Sequence, residues 1–226
     1  QHEIEREINR RVFNAAGNTF IRHSTLTANQ APANAGGGIA SQASGTLTFL
    51  TSTIVSNNVF GNDVQFVGGA TNTFASGGYN LVGTGNAATG PLNAFFQVGD
   101  QAGTGTARLG PLADHGGYTK THALLPGSTA IDAGNPSFAP PPSFDQRGFG
   151  FARVFDGDGV GGARIDIGAY ERQTLPGLSL VVDTLVDEND QIYSPGDRSL
   201  REAIALANGS VGADTITFAP SLTAGG

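Results

Sequence analysis

Two stretches of this chain repeat each other, and that repeat limits the fold more than any other feature. Ala15–Gln30 (AAGNTFIRHSTLTANQ) aligns with Ala43–Asn58 (ASGTLTFLTSTIVSNN) at an offset of 28 residues, position 15 to position 43. The alignment pairs Gly17 with Gly45, Ser24 with Ser52, Thr25 with Thr53, Leu26 with Ile54 and Asn29 with Asn57. Self-similarity at a fixed period marks stacked units that bury their apolar faces against one another. Within a unit, Thr46-Leu47-Thr48-Phe49 and Ser52-Thr53-Ile54-Val55 alternate as strands do. Gly36–Ala40 (GGGIA) and the Asn-rich corners read as turns, where Gly and Asn tolerate positive φ. So short a unit has no room for a helical crossover. The expected fold is therefore all-β: two or three short strands per turn of a right-handed parallel β-helix, with turns about 4.8 Å apart. Asn29 and Asn57 are expected to stack as an amide ladder, with Asn58, Asn62, Asp63 and Asn72 in the same role. An antiparallel sandwich is the competing fold, but the repeat lacks the two-residue hairpin turns it needs.

The segments beside the repeat are less regular. Residues 1–13 place Ile4, Ile8 and Val12 four apart, which predicts a helix that frays or caps the open end of the stack. Beyond the repeat, Val64–Val67, Tyr79–Val82 and Phe95–Val98 read as three further strands in wider turns. The 34 glycines and only 14% charged residues leave Asn, Thr, Ser and Gly to form the surface. A net charge of −7, with Lys120 the only lysine, makes nucleic acid a poor partner. Without an apolar run of about 18 residues, no membrane span is expected. Zero cysteines exclude disulfides, thiolate zinc sites and cysteine nucleophiles. The opening QHEIEREINRRV has no apolar signal-peptide core, so either a cytosolic protein or a fragment of a longer exported protein is expected.

Several separated motifs carry a family resemblance. Gly36-Gly37-Gly38-Ile39, Gly45-Thr46-Leu47-Thr48 and Ser52–Asn58 resemble large bacterial surface proteins of the parallel β-helix repeat class. Gly78-Tyr79-Asn80-Leu81-Val82-Gly83 and the stretch Arg108–Glu171 resemble the end segment called a choice-of-anchor Q domain. Residues 178–226 resemble the CSLREA-type segment that opens such β-helices, with Arg198 in place of the name-giving cysteine. The expected organisation is thus β-helix turns over 1–107, a cap or anchor-like segment over 108–177, and the CSLREA-like segment over 178–226. In the last, Ser199 and Glu202 form a capping box for a helix over 199–208. Leu200, Ala203, Ile204 and Ala207 give that helix one apolar face.

Candidate chemistry concentrates in Arg108–Glu171. Asp156-Gly157-Asp158-Gly159, with Asp166, is the best cation-ligand cluster, because alternating Asp and Gly wraps carboxylates around Ca²⁺. The same residues also read as a solvated acidic turn, and the full EF-hand loop is absent. Asp187-Glu188-Asn189-Asp190 is a second, weaker acidic loop. Gly157, Gly159 and Gly162 spell a nucleotide-loop pattern, but outside a strand–helix context. His115 and His122, with Asp114 and Asp132, fall short of a zinc set and are expected to lock turns. Ser128 with His122 and Asp132 suggests a hydrolytic triad without the nucleophile elbow. Arg147, if buried, needs a carboxylate from Asp145, Asp166 or Glu171, and such a clamp is expected to hold the segment to the last turn.

These readings predict a non-catalytic structural or adhesive module, secreted or at a bacterial cell surface, facing extracellular glycans or neighbouring copies of itself. The alternative is a carbohydrate-binding or polysaccharide-degrading β-helix protein, a lyase or a hydrolase. Such enzymes need acidic residues clustered on the stack, and residues 14–60 contain no Asp or Glu.

Overall fold

A computed structural model of the 226-residue chain describes all residues except 1, 5–6, 9–10, 33–34, 43–44, 69–72, 91–92, 104–106, 158–160, 174–179, 189–195, 197, 210–214 and 224–226. Among the described residues the regular structure is mainly β-strand, with two helices. Strands β1 (His2–Ile4), β2 (Glu7–Ile8) and β3 (Val12–Asn14) each begin a different parallel sheet. The chain then revisits the three sheets in the same order. Strands β4 (Gly17–Arg22), β5 (Thr25–Leu26) and β6 (Ile39–Gln42) add one strand to each. Strands β7 (Thr46–Thr51), β8 (Ile54–Val55) and β9 (Val64–Val67) add the next. Strands β10 (Phe74–Ser76), β11 (Leu81–Val82) and β12 (Gln101–Ala102) extend two of the sheets, to give the orders β1-β4-β7-β10, β2-β5-β8-β11-β12 and β3-β6-β9.

Pairing corrects two sequence expectations. The N-terminal segment pairs His2–Ile4 with Thr19–Ile21 and Glu7–Ile8 with Thr25–Leu26 in parallel, so its described residues form strands and no helix. Its spacing of four matches the succession of three short strands, each in a different sheet. The repeat itself runs at 29 residues, not 28: Thr19 pairs with Thr48, Phe20 with Phe49, Ile21 with Leu50 and Leu26 with Val55. A slip of one residue would turn every side chain to the opposite face. At the true period the left-handed residues also coincide, His23 with Ser52 (φ 45° and 48°) and Ala28 with Asn57 (φ 56° and 62°). The amide ladder shifts accordingly. Asn29 donates through its backbone N and Nδ2 to Asn58 Oδ1, both at 3.0 Å, and Asn58 Nδ2 donates to Asp63 Oδ1 at 2.8 Å.

Alternation fills the interior. Ile21, Leu26, Ile39, Leu50, Val55 and Val64 are fully buried in one core shared by the three sheets. A second core joins Ile54 and Leu81 of the stack to Ala123, Leu124, Ile167 and Tyr170 of the later stretch. Expected strand Phe95–Val98 is absent: Phe95 is buried, but Phe96 and Val98 are exposed, and the ladder is not formed. Side-chain acceptors take its amides instead, Asn93 Oδ1 from Phe95 and Asp100 Oδ2 from Gln97.

After β12 the topology changes. Strands β13 (Leu109–Ala113) and β14 (Thr121–Leu124) form an antiparallel pair, and the chain to Glu171 continues mainly as turns. Towards the C-terminus, β15 (Val181–Val182) pairs in parallel with β16 (Thr217–Phe218), bracketing helix α1 (Leu200–Gly209). Helix α2 (Pro220–Thr223) is a single turn. The capping box forms as the residues require: Ser199 N donates to Glu202 Oε2 at 2.9 Å, and Glu202 N donates back to Ser199 Oγ at 3.2 Å. The expected apolar face is only partly covered. Ala203 is buried, whereas Leu200 and Ile204 line an open apolar groove of 520 Å³ with Leu185, Val186 and Phe218. Among the described residues no helix is long and apolar enough to cross a membrane.

Candidate functional site

The polar residues of 108–171 converge beneath that stretch, where it meets the stack. Segment 165–171 is fastened to the parallel strands through its backbone: Gly168 N donates to Ser52 O at 3.0 Å and Ala169 N to Thr25 Oγ1 at 3.1 Å. Gly168 adopts φ +104°, and a Cβ there would lie 2.7 Å from Thr25 Oγ1 and 2.8 Å from Ile54 Cδ1. Only glycine permits this approach.

Two arginines, each 1% exposed, organise the interior of this junction. Arg147 donates Nε to Asp145 at 3.0 and 3.2 Å and Nη2 to Asp145 Oδ2 at 2.7 Å, a bidentate pair. Its Nη2 also donates to Glu171 O at 2.6 Å, and its guanidinium lies 3.8 Å from the Phe151 ring centre and 4.0 Å from that of Tyr170. Of the three carboxylates expected to meet Arg147, Asp145 is the partner. Glu171 contributes its carbonyl to Arg147 and its carboxylate to Arg153. Arg153 donates Nη1 to Glu171 Oε2 at 3.3 Å, and Nη2 to the carbonyls of Asp166 (3.0 Å) and Gly168 (2.7 Å). Its Nη2 also meets His23 Nδ1 at 3.3 Å. Burial first, and the adjacent Arg153 and Arg22 charges second, lower the His23 pKa to about 3, so this ring accepts as a neutral imidazole.

A second group of acids lies alongside. Asp132, Asp166 and Glu171 bring one carboxylate oxygen each within 4.8 Å of the others. Asp166 and Glu171 are completely buried, and Asp132 is half-buried. Asp166 Oδ1 accepts from Asp132 N at 2.7 Å and its Oδ2 from Arg172 N at 2.6 Å. Asp166 N donates to Glu171 Oε2 at 2.9 Å. Burial pushes Asp166 up to about 7, against the pull of those two backbone amides. Burial, and then the Asp166 charge, raise Glu171 well above the usual carboxylate range.

Of the expected calcium ligands only Asp166 is one of these three, while the turn that carries Asp156 reaches the group through Gly157 N, which donates to Asp132 Oδ1 at 3.4 Å. Asp158 and Gly159 lie outside the described residues. Asn189 and Asp190 of the second acidic loop also lie outside them, and Asp187 is engaged with Arg201 on the surface at 2.6 Å. Of the histidines expected to lock turns, His122 instead ties two strands, its Nδ1 in β14 donating to Gly110 O of β13 at 2.7 Å, while His115 Nδ1 bonds Thr121 Oγ1 at 3.1 Å across the connecting turn. Ser128 donates Oγ to the Ala107 carbonyl and accepts from Ala130 N at 3.3 Å, as a turn residue does. Sequence reasoning missed Arg153 and the convergence of Asp132. The setting of Arg153 within FARVF, an arginine among large apolar residues, was the available signal for burial.

Outside the junction, Phe144 and Phe149 meet edge to face at 5.5 Å, and Phe149 (70%) and Tyr118 (96%) are exposed. Phe144 also lines a 140 Å³ cleft with His23, Gln146 and Arg153. No family model, curated protein or solved structure matches the chain.

Proposed function

We propose that this chain is a non-catalytic structural or adhesive module, secreted or on a bacterial cell surface. In this reading the three parallel sheets are the faces of a right-handed β-helix, and residues 108–171 are the lid on its end. Residues 178–226 begin a further stack. The resemblance to choice-of-anchor Q and CSLREA-type segments is the basis for the location.

One observation carries the non-catalytic reading. Four charged side chains of 108–171 are buried and bound to one another and to backbone: Arg147 to Asp145, and Arg153 to Glu171. Residues 14–60, which carry five of the twelve strands of the three parallel sheets, hold no carboxylate to act as acid, base or nucleophile. The test is incubation with uronic-acid and neutral polysaccharides, with and without Ca²⁺, followed by assay for new reducing ends and unsaturated products. No turnover is expected; release of either product overturns the reading.

A second reading, glycan binding without turnover, is favoured by the exposed Tyr118 and by the Phe144–Phe149 pair, of which Phe144 lines a polar cleft. Aromatic faces of this kind supply contact area at low entropic cost. A glycan array decides it: signal lost in Tyr118→Ala supports binding there, and an empty array removes it.

A further inference from the structure

We propose that Asp132, Asp166 and Glu171 form the site of one divalent cation of the hard, oxygen-preferring class, Ca²⁺, which ties the turn at 132 to the segment 165–171. The inference stands on the geometry of these three residues and holds whether or not the chain is an adhesive module.

Three carboxylate oxygens within 4.8 Å of one another fit a shared ion, since Ca²⁺ holds its oxygens at about 2.3–2.6 Å. Convergence of acids alone is common; the state of Glu171 is the second observation. Its carboxylate points into the group and has no solvent exposure, yet Oε1 meets no donor. Leaving a buried carboxylate oxygen unpaired is costly, and native structures avoid it unless a water, proton or ion completes the shell.

Charge points the same way. Asp145 is already matched by the bidentate Arg147. The side chains of Asp166 and Glu171 share one directly bonded guanidinium, that of Arg153 on Glu171 Oε2, while Asp166 accepts the backbone N–H groups of Asp132 and Arg172. Each carboxylate oxygen has two lone pairs, so one N–H bond leaves room for a metal contact.

The donor set selects the ion. All three ligands are carboxylates, with no His or Cys, which disfavours Zn²⁺ and Cu²⁺. Irregular geometry with a half-buried Asp132 at the mouth suits Ca²⁺ with added waters better than Mg²⁺, which demands a near-ideal octahedron. Asp132 holds φ +49°, so its turn already presents the carboxylate without rearrangement.

The test is a Tb³⁺ titration of the full chain, stripped with EDTA, at pH 8. Luminescence is sensitised by tyrosine, Tyr170 being the neighbour of Glu171 in the chain. The expected result is one Tb³⁺ per chain, displaced by Ca²⁺, and affinity at least tenfold weaker in Asp132→Asn, whose folding is checked by circular dichroism. No binding by the wild type, or unchanged affinity in folded Asp132→Asn, overturns the proposal. Loss in Asp156→Asn with retention in Asp132→Asn also overturns it, by placing the ion on the acidic Gly-rich turn. Should Asp132→Asn not fold, the anomalous signal of a Tb³⁺-soaked wild-type crystal decides. A peak among the three carboxylates supports the site, and any other result overturns it.

Discussion

Replacing Arg147 with Met removes the guanidinium while keeping an unbranched stem between the Phe151 and Tyr170 rings. Asp145, 7% exposed, would then keep backbone donors, Arg147 N at 2.8 Å and Glu171 N at 2.7 Å, but lose its counter-charge. The carbonyl of Glu171 would also lose the 2.6 Å bond from Nη2. Removing one partner of a buried ion pair costs about 3–5 kcal/mol, because the other charge stays buried. For a chain of this size that corresponds to a fall in Tm of about 6–20 °C. Guanidinium chloride unfolding followed by circular dichroism measures the loss as a lower midpoint with unchanged slope. The double variant Arg147→Met/Asp145→Asn, which removes both charges, is expected to recover at least about 1 kcal/mol relative to the sum of the single variants. A single variant within about 0.5 kcal/mol of wild type would refute the clamp.

Gly168→Ala is expected to cost about 2–5 kcal/mol, combining left-handed strain with the clash against Thr25 and Ile54. Gly17→Ala, at φ +74° with nothing within 4 Å of the new Cβ, should cost only about 1–2 kcal/mol, and equal losses would contradict the packing argument. Ser199→Ala removes the helix cap and is expected to cost about 1 kcal/mol, whereas Arg201→Ala breaks an exposed pair with Asp187 and should change stability by less than about 0.5 kcal/mol; urea unfolding of both variants checks the contrast. The pH dependence contains opposing contributions. Asp166, raised from 3.8 to about 7, stabilises fully at low pH and loses that contribution as pH rises through about 7. His23, lowered from 6.5 to about 3, loses stability as pH falls from 6.5 towards 3. Charged groups around them are Arg22, Arg153, Asp132, Asp145 and Glu171. In EDTA, His23→Gln should therefore make stability fall with rising pH between about 4 and 6.5 more steeply than in wild type, and parallel profiles would exclude the offset.

Much of the β-architecture was legible because period-2 alternation and recurrence survive in the sequence. Matching residues by type still placed the repeat one residue short, since Ser24/Ser52 and Thr25/Thr53 align as well by identity as the true pairs Phe20/Phe49 and Thr19/Thr48. What decides the register is which face is buried, together with corners at His23 and Ser52, which take positive φ without the glycine or asparagine that signals one at Asn57. The helix expected from Ile4, Ile8 and Val12 failed for a related reason: strands of two or three residues that follow one another closely in sequence imitate helical spacing. In the junction, Asp145 and Arg147 were legible because they lie two residues apart on one turn. The meeting of Asp132 with Asp166, or of Arg153 with the Asp166 and Gly168 carbonyls, depends on how irregular loops return to the stack. Alternation and capping rules do not reach that.

Native-state hydrogen exchange tests most directly whether 108–171 acts as a lid integral to the stack. The amide of Gly168, bonded to Ser52 O, should open with the same free energy as that of Ile54, bonded to Ser24 O within the sheets. Exchange at Gly168 about a hundredfold or more faster than at Ile54 would show an independently opening flap, and would contradict the account.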